Sequence, residues 1–106
     1  MIIVSVIYPR ERGAEFDFDY YEQTHLPLVM ERWGGAGLAG AEALRGVSAP
    51  DGGDAPYVAM AFLRFESRDA MGAAMGGEHA EEIMGDIPKF TNLRPVVQVN
   101  EPIGES

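Results

Sequence analysis

The sequence predicts an α+β domain in the order β-α-β-β-α-β, forming a four-stranded antiparallel sheet with both helices on one face. Three observations lead there. Ile2–Tyr8 and Tyr57–Phe65 are runs of β-branched and aromatic residues with strand character. From Phe16 the apolar pattern changes to helical spacing, and it does so again after Ser67. Strand-like residues follow each helical stretch, so two split βαβ units with right-handed crossovers can share one sheet.

Ile2–Tyr8 is stopped by Pro9 and reads as a buried central strand. A charged loop, Arg10–Glu15, leads to the first helix. There Phe18, Tyr21, His25 and Leu28 fall at spacings of three and four, and Leu26, Val29, Met30 and Trp33 widen the apolar face. Asp17 is expected as the N-cap with Asp19 in the first turn, although Asp19 and Glu22 also have capping-box spacing. Pro27 removes one internal bond and presses its ring on the carbonyl of Gln23, which predicts a kink or restart near His25. Gly34, Gly35 and Gly37 end the helix.

Leu38–Ser48 carries weaker strand character, and Ala49–Pro56 (APDGGDAP) has turn chemistry at nearly every position. In the strand Tyr57–Phe65 the residues Tyr57, Ala59, Ala61, Leu63 and Phe65 share one face, and Val58, Met60, Phe62 and Arg64 the other. Ser67 is expected to cap a helix through Ala70, Met71, Ala74 and Met75, interrupted at Gly76 and Gly77. Glu78–Met84 resumes it, Asp86-Ile87-Pro88 breaks it, and Leu93–Val99 is the last strand before a polar tail.

With 106 residues the chain fits one domain, 1–106. Both faces of its strands are apolar over much of their length, so the sheet face away from the helices needs a cover, and a second copy supplies it most economically. A homodimer is the expected partner state. Eight Lys+Arg against 17 Asp+Glu give a net charge of −9, which argues against nucleic acid and anionic membrane surfaces as partners. The absence of cysteine removes disulfides, thiol nucleophiles and thiolate metal sites, and fits a cytoplasmic location. The N-terminal apolar run is too short for a secretory signal, and no stretch approaches the roughly 20 apolar residues of a membrane span.

The motif Phe16-Asp17-x-Asp19-Tyr20-Tyr21-x-x-x-His25-x-Pro27-Leu28, followed by Gly85-Asp86-Ile87-Pro88-Lys89-Phe90-Thr91 and Pro95-Val96-Val97-Gln98-Val99, resembles the EthD family over nearly the whole chain. The resemblance implies a ferredoxin-like domain that pairs sheet to sheet as a dimeric α+β barrel. The family takes its name from a protein associated with bacterial ethyl tert-butyl ether degradation.

His25 is the leading site candidate. It lies one turn after Tyr21, so the two share a face, and a histidine beside a phenol in an apolar cavity suits proton transfer next to a carbonyl. The competing reading is a histidine whose ring nitrogens are bonded to hold the helix on the sheet. Tyr21 is read either as a hydrogen-bond donor in the same site or as core. Tyr20 and Trp33 are candidate ligand contacts that core packing also explains. His79, in GGEHAEEIM, is a further ligand-contact candidate whose bland reading is a solvated helix-face residue. Haem ligation occurs in other dimeric α+β barrels, which keeps a haem-handling role for His79 as a minor alternative. His79 with Glu82 supplies only two ligands, so no metal site is assigned. Met60, Met71, Met75 and Met84 fit core filling or an adaptable cavity wall. No P-loop, GxGxxG, GxSxG or HExxH is present, and no cofactor is expected.

The expected function is binding of a small apolar carbonyl or aromatic compound. Cofactor-independent proton transfer, isomerisation, cyclisation or oxygenation would then run through His25. The alternative is a non-catalytic binding protein accessory to an oxygenase or degradation pathway.

Overall fold

In the computed structural model, which describes residues 1–104, strand β1 (Ile2–Pro9) lies inside a four-stranded sheet. The other strands are β2 (Leu38–Arg45), β3 (Tyr57–Phe65) and β4 (Val96–Asn100), in the order β2-β3-β1-β4, and every neighbouring pair is antiparallel. The expected β-α-β-β-α-β order is therefore the observed one. Interior β1 and β3 are the two most apolar runs, as a sheet centre requires.

The first helix is continuous but in three pieces: α1 (Phe18–Tyr20), a π-helical turn Tyr21–His25, and α2 (Leu26–Trp33). Asp17 caps it, its carboxylate accepting from the Tyr20 N–H at 3.1 Å. The distortion expected near His25 takes the form of the π turn. There the Leu26 N–H bonds the carbonyl of Tyr21, five residues back. Pro27 follows at once with no N–H to offer, and the wider turn relieves its ring of the carbonyl four residues earlier. Its consequence is a buried stripe at strict fours: Tyr21, His25, Val29 and Trp33. In a regular α-helix that spacing drifts about 40° per step, and the extra residue of the π turn takes the drift back.

After α2 a short 3-10 turn, Gly34–Ala36, leads to Gly37 at φ 105°, which turns the chain into β2. Close packing also holds that position, since a Cβ on Gly37 would lie 2.5 Å from the Cβ of Ala70. Ser67 caps α3 (Arg68–Met75) by accepting from the Ala70 N–H at 3.0 Å, and α4 (Ala80–Asp86) runs into the 3-10 turn Ile87–Lys89. The helices pack on one face of the sheet. Val29, Trp33, Ala74 and Ile83 meet Val4, Leu63 and Phe65 in one part of the core, and Tyr21, Ile87 and Phe90 meet Tyr8 in the other.

The structure departs from the sequence reading in several places. Phe16, where the apolar pattern turned helical, lies ahead of the Asp17 cap and forms an isolated bridge to Thr91 instead. The last strand begins at Val96 rather than Leu93. Thr91 bonds the Leu93 N–H, and the Leu93 side chain turns into the core. Leu38–Ser48 is a strand only as far as Arg45. Val58 lies in the core together with Ala59, not on the opposite face. The register shifts there, Tyr8 pairing Ala59 and Pro9 pairing Tyr57, so a bulge at Val58 rotates its side chain inward.

The face away from the helices carries Ile3, Ser5 and Ile7 from β1, opposite Arg64, Phe62 and Met60 of β3. Leu44 and Val96 extend it on the outer strands. No helix of the described residues is long and apolar enough to cross a membrane.

Candidate functional site

The π turn and the end of α4 bring together two residues 61 apart in sequence. His25 is 5% exposed and Asp86 is 6% exposed, and Nδ1 of the imidazole lies 3.0 Å from Oδ2 of the carboxylate. Tyr20 donates its hydroxyl to the other oxygen, Oδ1, at 2.8 Å. Lys89, largely in solvent, adds its ammonium at 3.8 Å from the same oxygen. Phe90 and Tyr21 enclose the imidazole, the first tilted at 4.7 Å and the second stacked at 5.7 Å between ring centres.

This arrangement fixes the protonation of the pair. Burial pushes the Asp86 carboxyl up, but the hydrogen bonds from His25 and Tyr20, with the nearby positive charges, outweigh it and hold the group below its ordinary value. Asp86 is thus a carboxylate that can only accept, and Nδ1 must carry the proton it donates. Burial lowers the imidazole below its ordinary value, against the raising influence of Asp86. His25 is therefore neutral near pH 7, with Nε2 as the unprotonated nitrogen. Among the described residues no protein group bonds Nε2.

His25 also lines an apolar cavity between the helices and the sheet, of about 40 Å³. Asp86 stands outside this lining, behind the imidazole. Val6, Tyr8, Ala61 and Leu63 form the sheet side, and Tyr21, Leu26, Val29 and Trp33 the helix side. Such a space holds a few water molecules at most. Met75 and Met84 complete its wall, and their flexible thioethers can re-pack to enlarge it. Val97 and Met84, 40% and 45% exposed, border it where the helix layer stops short of β4. Apart from His25 and the phenols the lining is free of ionisable groups. Charged ligands are disfavoured there by the cost of burying a charge.

Of the residues singled out from sequence, His25, Tyr21 and Trp33 share this cavity. The Trp33 indole N–H is sealed in the wall without a partner. Tyr20 does not line the cavity; its hydroxyl bonds the carboxylate behind His25. His79 stands just before α4, half-exposed, 3.6 Å from Glu78 and away from the cavity. Among the described residues no three His, Asp or Glu side chains come together as a metal site.

Sequence reasoning passed over Asp86 and Tyr8. Asp86 was legible as a helix breaker beside Pro88 and as one position of the Gly85–Thr91 motif, without a role of its own, though a carboxylate between Ile83 and Ile87 on a buried face was itself a signal. Tyr8 looked like any strand aromatic.

The model of the EthD domain family matches residues 11–94. Among solved structures, an EthD-like protein from Ralstonia eutropha is 36% identical with a TM-score of 0.88, over 99% of this chain and 94% of its own. An ethyl tert-butyl ether degradation (EthD) family protein from Bacillus halodurans is 21% identical with a TM-score of 0.76, over 97% and 99%. A DABB family protein with a ferredoxin-like fold from Mesorhizobium loti, 14% identical with a TM-score of 0.61 over 97% and 98%, shares the fold. No protein of curated function matches the chain.

Proposed function

The chain belongs to the EthD family, and from that premise we propose that it binds a small, uncharged, largely apolar carbonyl or aromatic compound in the cavity and moves a proton on it through Nε2 of His25. One observation carries the reading: a buried imidazole whose Nδ1 is held by a carboxylate while its ring lines an apolar cavity. Asp86 selects the tautomer that leaves Nε2 basic, and Tyr20 steadies Asp86. A neutral histidine near pH 7 is poised as a general base, and the aromatic wall keeps water from competing for the proton. Tyr21 offers its hydroxyl as a donor to the ligand. The chemistry asks for no cofactor.

The same reading makes the working unit a homodimer. Ile3, Ile7, Leu44, Met60, Phe62 and Val96 present apolar area on the sheet face the helices leave open, and a second sheet would cover it.

The test is hydrogen exchange at the carbon beside the carbonyl of cyclopentanone in D2O, followed by NMR. Wild type should accelerate exchange over buffer, and His25→Ala should abolish the acceleration. Equal acceleration by the variant would refute the assignment to His25. Binding without exchange would reduce the site to a carrier.

A further inference from the structure

Tyr8 has no role in the proton transfer to His25, yet it stands in the same cavity wall. It is 1% exposed, on β1, and its ring meets Tyr21 edge-on at 6.2 Å. Phe16 and Phe90 grip the ring from two further sides, at 5.2 and 6.0 Å. A tyrosine this buried ordinarily spends its hydroxyl on a protein partner. Among the described residues neither Tyr8 nor Tyr21 has one. Nor are these hydroxyls sealed, since Trp33 Nε1 is the one unpartnered side-chain atom wholly closed off among the described residues. Two buried phenols thus stand without a hydrogen-bond partner, and the space that both of them line is the cavity of His25, although Tyr21 also borders a surface cleft with Asp19, Glu22 and Arg45.

Resting on the proton-transfer reading above, we propose that Tyr8 and Tyr21 together receive the carbonyl oxygen of an enolisable ketone, with Tyr8 a further catalytic residue. Burial raises the pKa of both phenols, that of Tyr21 to about 12, so each stays protonated and can donate across the physiological range. Fixed neutral donors aimed at an oxygen that gains charge stabilise an enolate more than the ketone it comes from. The only other neutral donor among the lining side chains, the Trp33 indole N–H, is closed off in the wall.

For a β,γ-unsaturated ketone the step balances without a co-reactant. Nε2 of His25 takes a proton from the carbon between the carbonyl and the double bond. The C–H electron pair forms a new C=C bond, and the carbonyl π pair moves onto oxygen, where the two phenols hold it. The proton then returns from Nε2 to the far carbon of the old double bond, the carbonyl re-forms, and the product is the conjugated enone.

Conversion of 3-cyclopenten-1-one to 2-cyclopenten-1-one, read by ultraviolet absorbance, tests this together with the 13C shift of bound carbonyl-labelled cyclopentanone. Tyr8→Phe removes one oxygen and keeps the ring, so the fold should persist, as circular dichroism will show. Each of Tyr8→Phe and Tyr21→Phe should lower kcat on the order of 100-fold with little change in KM, and each should draw the carbonyl shift back towards its value in water-free solvent. A purely structural tyrosine would move neither the carbonyl shift nor the kcat-to-KM split. If turnover needs His25 while Tyr8→Phe changes neither kcat nor the shift, this inference fails alone. If the shift depends on both tyrosines but wild type does not turn over, the donor pair stands and the proton-transfer role of His25 falls. Failure of cyclopentanone to bind overturns both.

Discussion

Replacing Asp86 by Asn separates the charge of this residue from its shape. The wild-type carboxylate accepts from His25 Nδ1 at 3.0 Å and from the Tyr20 hydroxyl at 2.8 Å. Hydrogen bonds to a charged group contribute about 1.5–3 kcal/mol each, and neutral ones about 1. The amide oxygen can keep the Tyr20 bond at neutral strength. Its NH2 then faces Nδ1, and that contact bonds only if Nδ1 gives up its proton to Nε2. Losing charge assistance twice removes about 2 kcal/mol. Relief from burying a charge returns part of this, so the net loss should be about 1–2 kcal/mol, or a Tm lower by roughly 5–10 °C at fixed protein concentration. The tautomer change should be worse for chemistry than for folding. With Nε2 protonated there is no base in the cavity, and exchange should slow by about 100-fold or more. The direct assay is 15N NMR of the imidazole, in which the unprotonated nitrogen is Nε2 in wild type and Nδ1 in the variant. An Asp86→Asn protein that keeps its wild-type tautomer and melting temperature would refute the assignment of Asp86 as the group that orients His25.

Acid should weaken the fold in two stages. His25 has a lowered pKa in the folded state, so the unfolded chain binds its proton first, and stability falls as pH drops below about 6.5, by at most about 1.4 kcal/mol per pH unit. Asp86, also lowered, adds a loss that begins near the ordinary carboxylate value of about 3.9 and continues below it. Urea midpoints measured against pH check this, and a His25→Gln protein that kept the limb near pH 6 would count against a buried neutral imidazole. Gly37→Ala places a methyl 2.5 Å from the Cβ of Ala70 at φ 105°, and should cost about 2–3 kcal/mol by melting; a near-neutral effect would mean that the α2–β2 turn is not held as described. Phe62→Glu puts a charge on the open sheet face. Sedimentation should then give a folded monomer where wild type should give a dimer, and a wild-type monomer at micromolar concentration would remove the proposed dimer.

The parts of the fold legible in sequence were those set by neighbouring residues. Asp17 and Ser67 announce their helices through side chains that reach three residues ahead, and Pro27 announces the distortion at His25 because its ring conflicts with the turn before it. Glycines and Asp51 mark the loop between β2 and β3, where Asp51 bonds the Gly53 N–H at 2.9 Å. Strand limits were harder. Leu93 has the composition of a strand residue, but Thr91 bonds its backbone, and only packing reveals that its side chain fills the core. Val58 shows the same limit, since alternation along a strand cannot anticipate a bulge that depends on the partner strand.

By itself the sequence determined the order of elements, the capped and proline-distorted helix, and the placing of Tyr21 and His25 on one face, because each follows from periodicity or from a local clash, whereas Trp33 joins their stripe only through the π turn. Tertiary structure decided what His25 can do. Its tautomer depends on Asp86, 61 residues away, and its access to a ligand depends on a gap between two layers. Neither leaves a periodic trace in the chain. A buried carboxylate and a strand tyrosine acquire chemical meaning only when packing sets them beside the same imidazole or the same cavity, since that packing determines which polar atoms are satisfied and which stay free to meet a ligand.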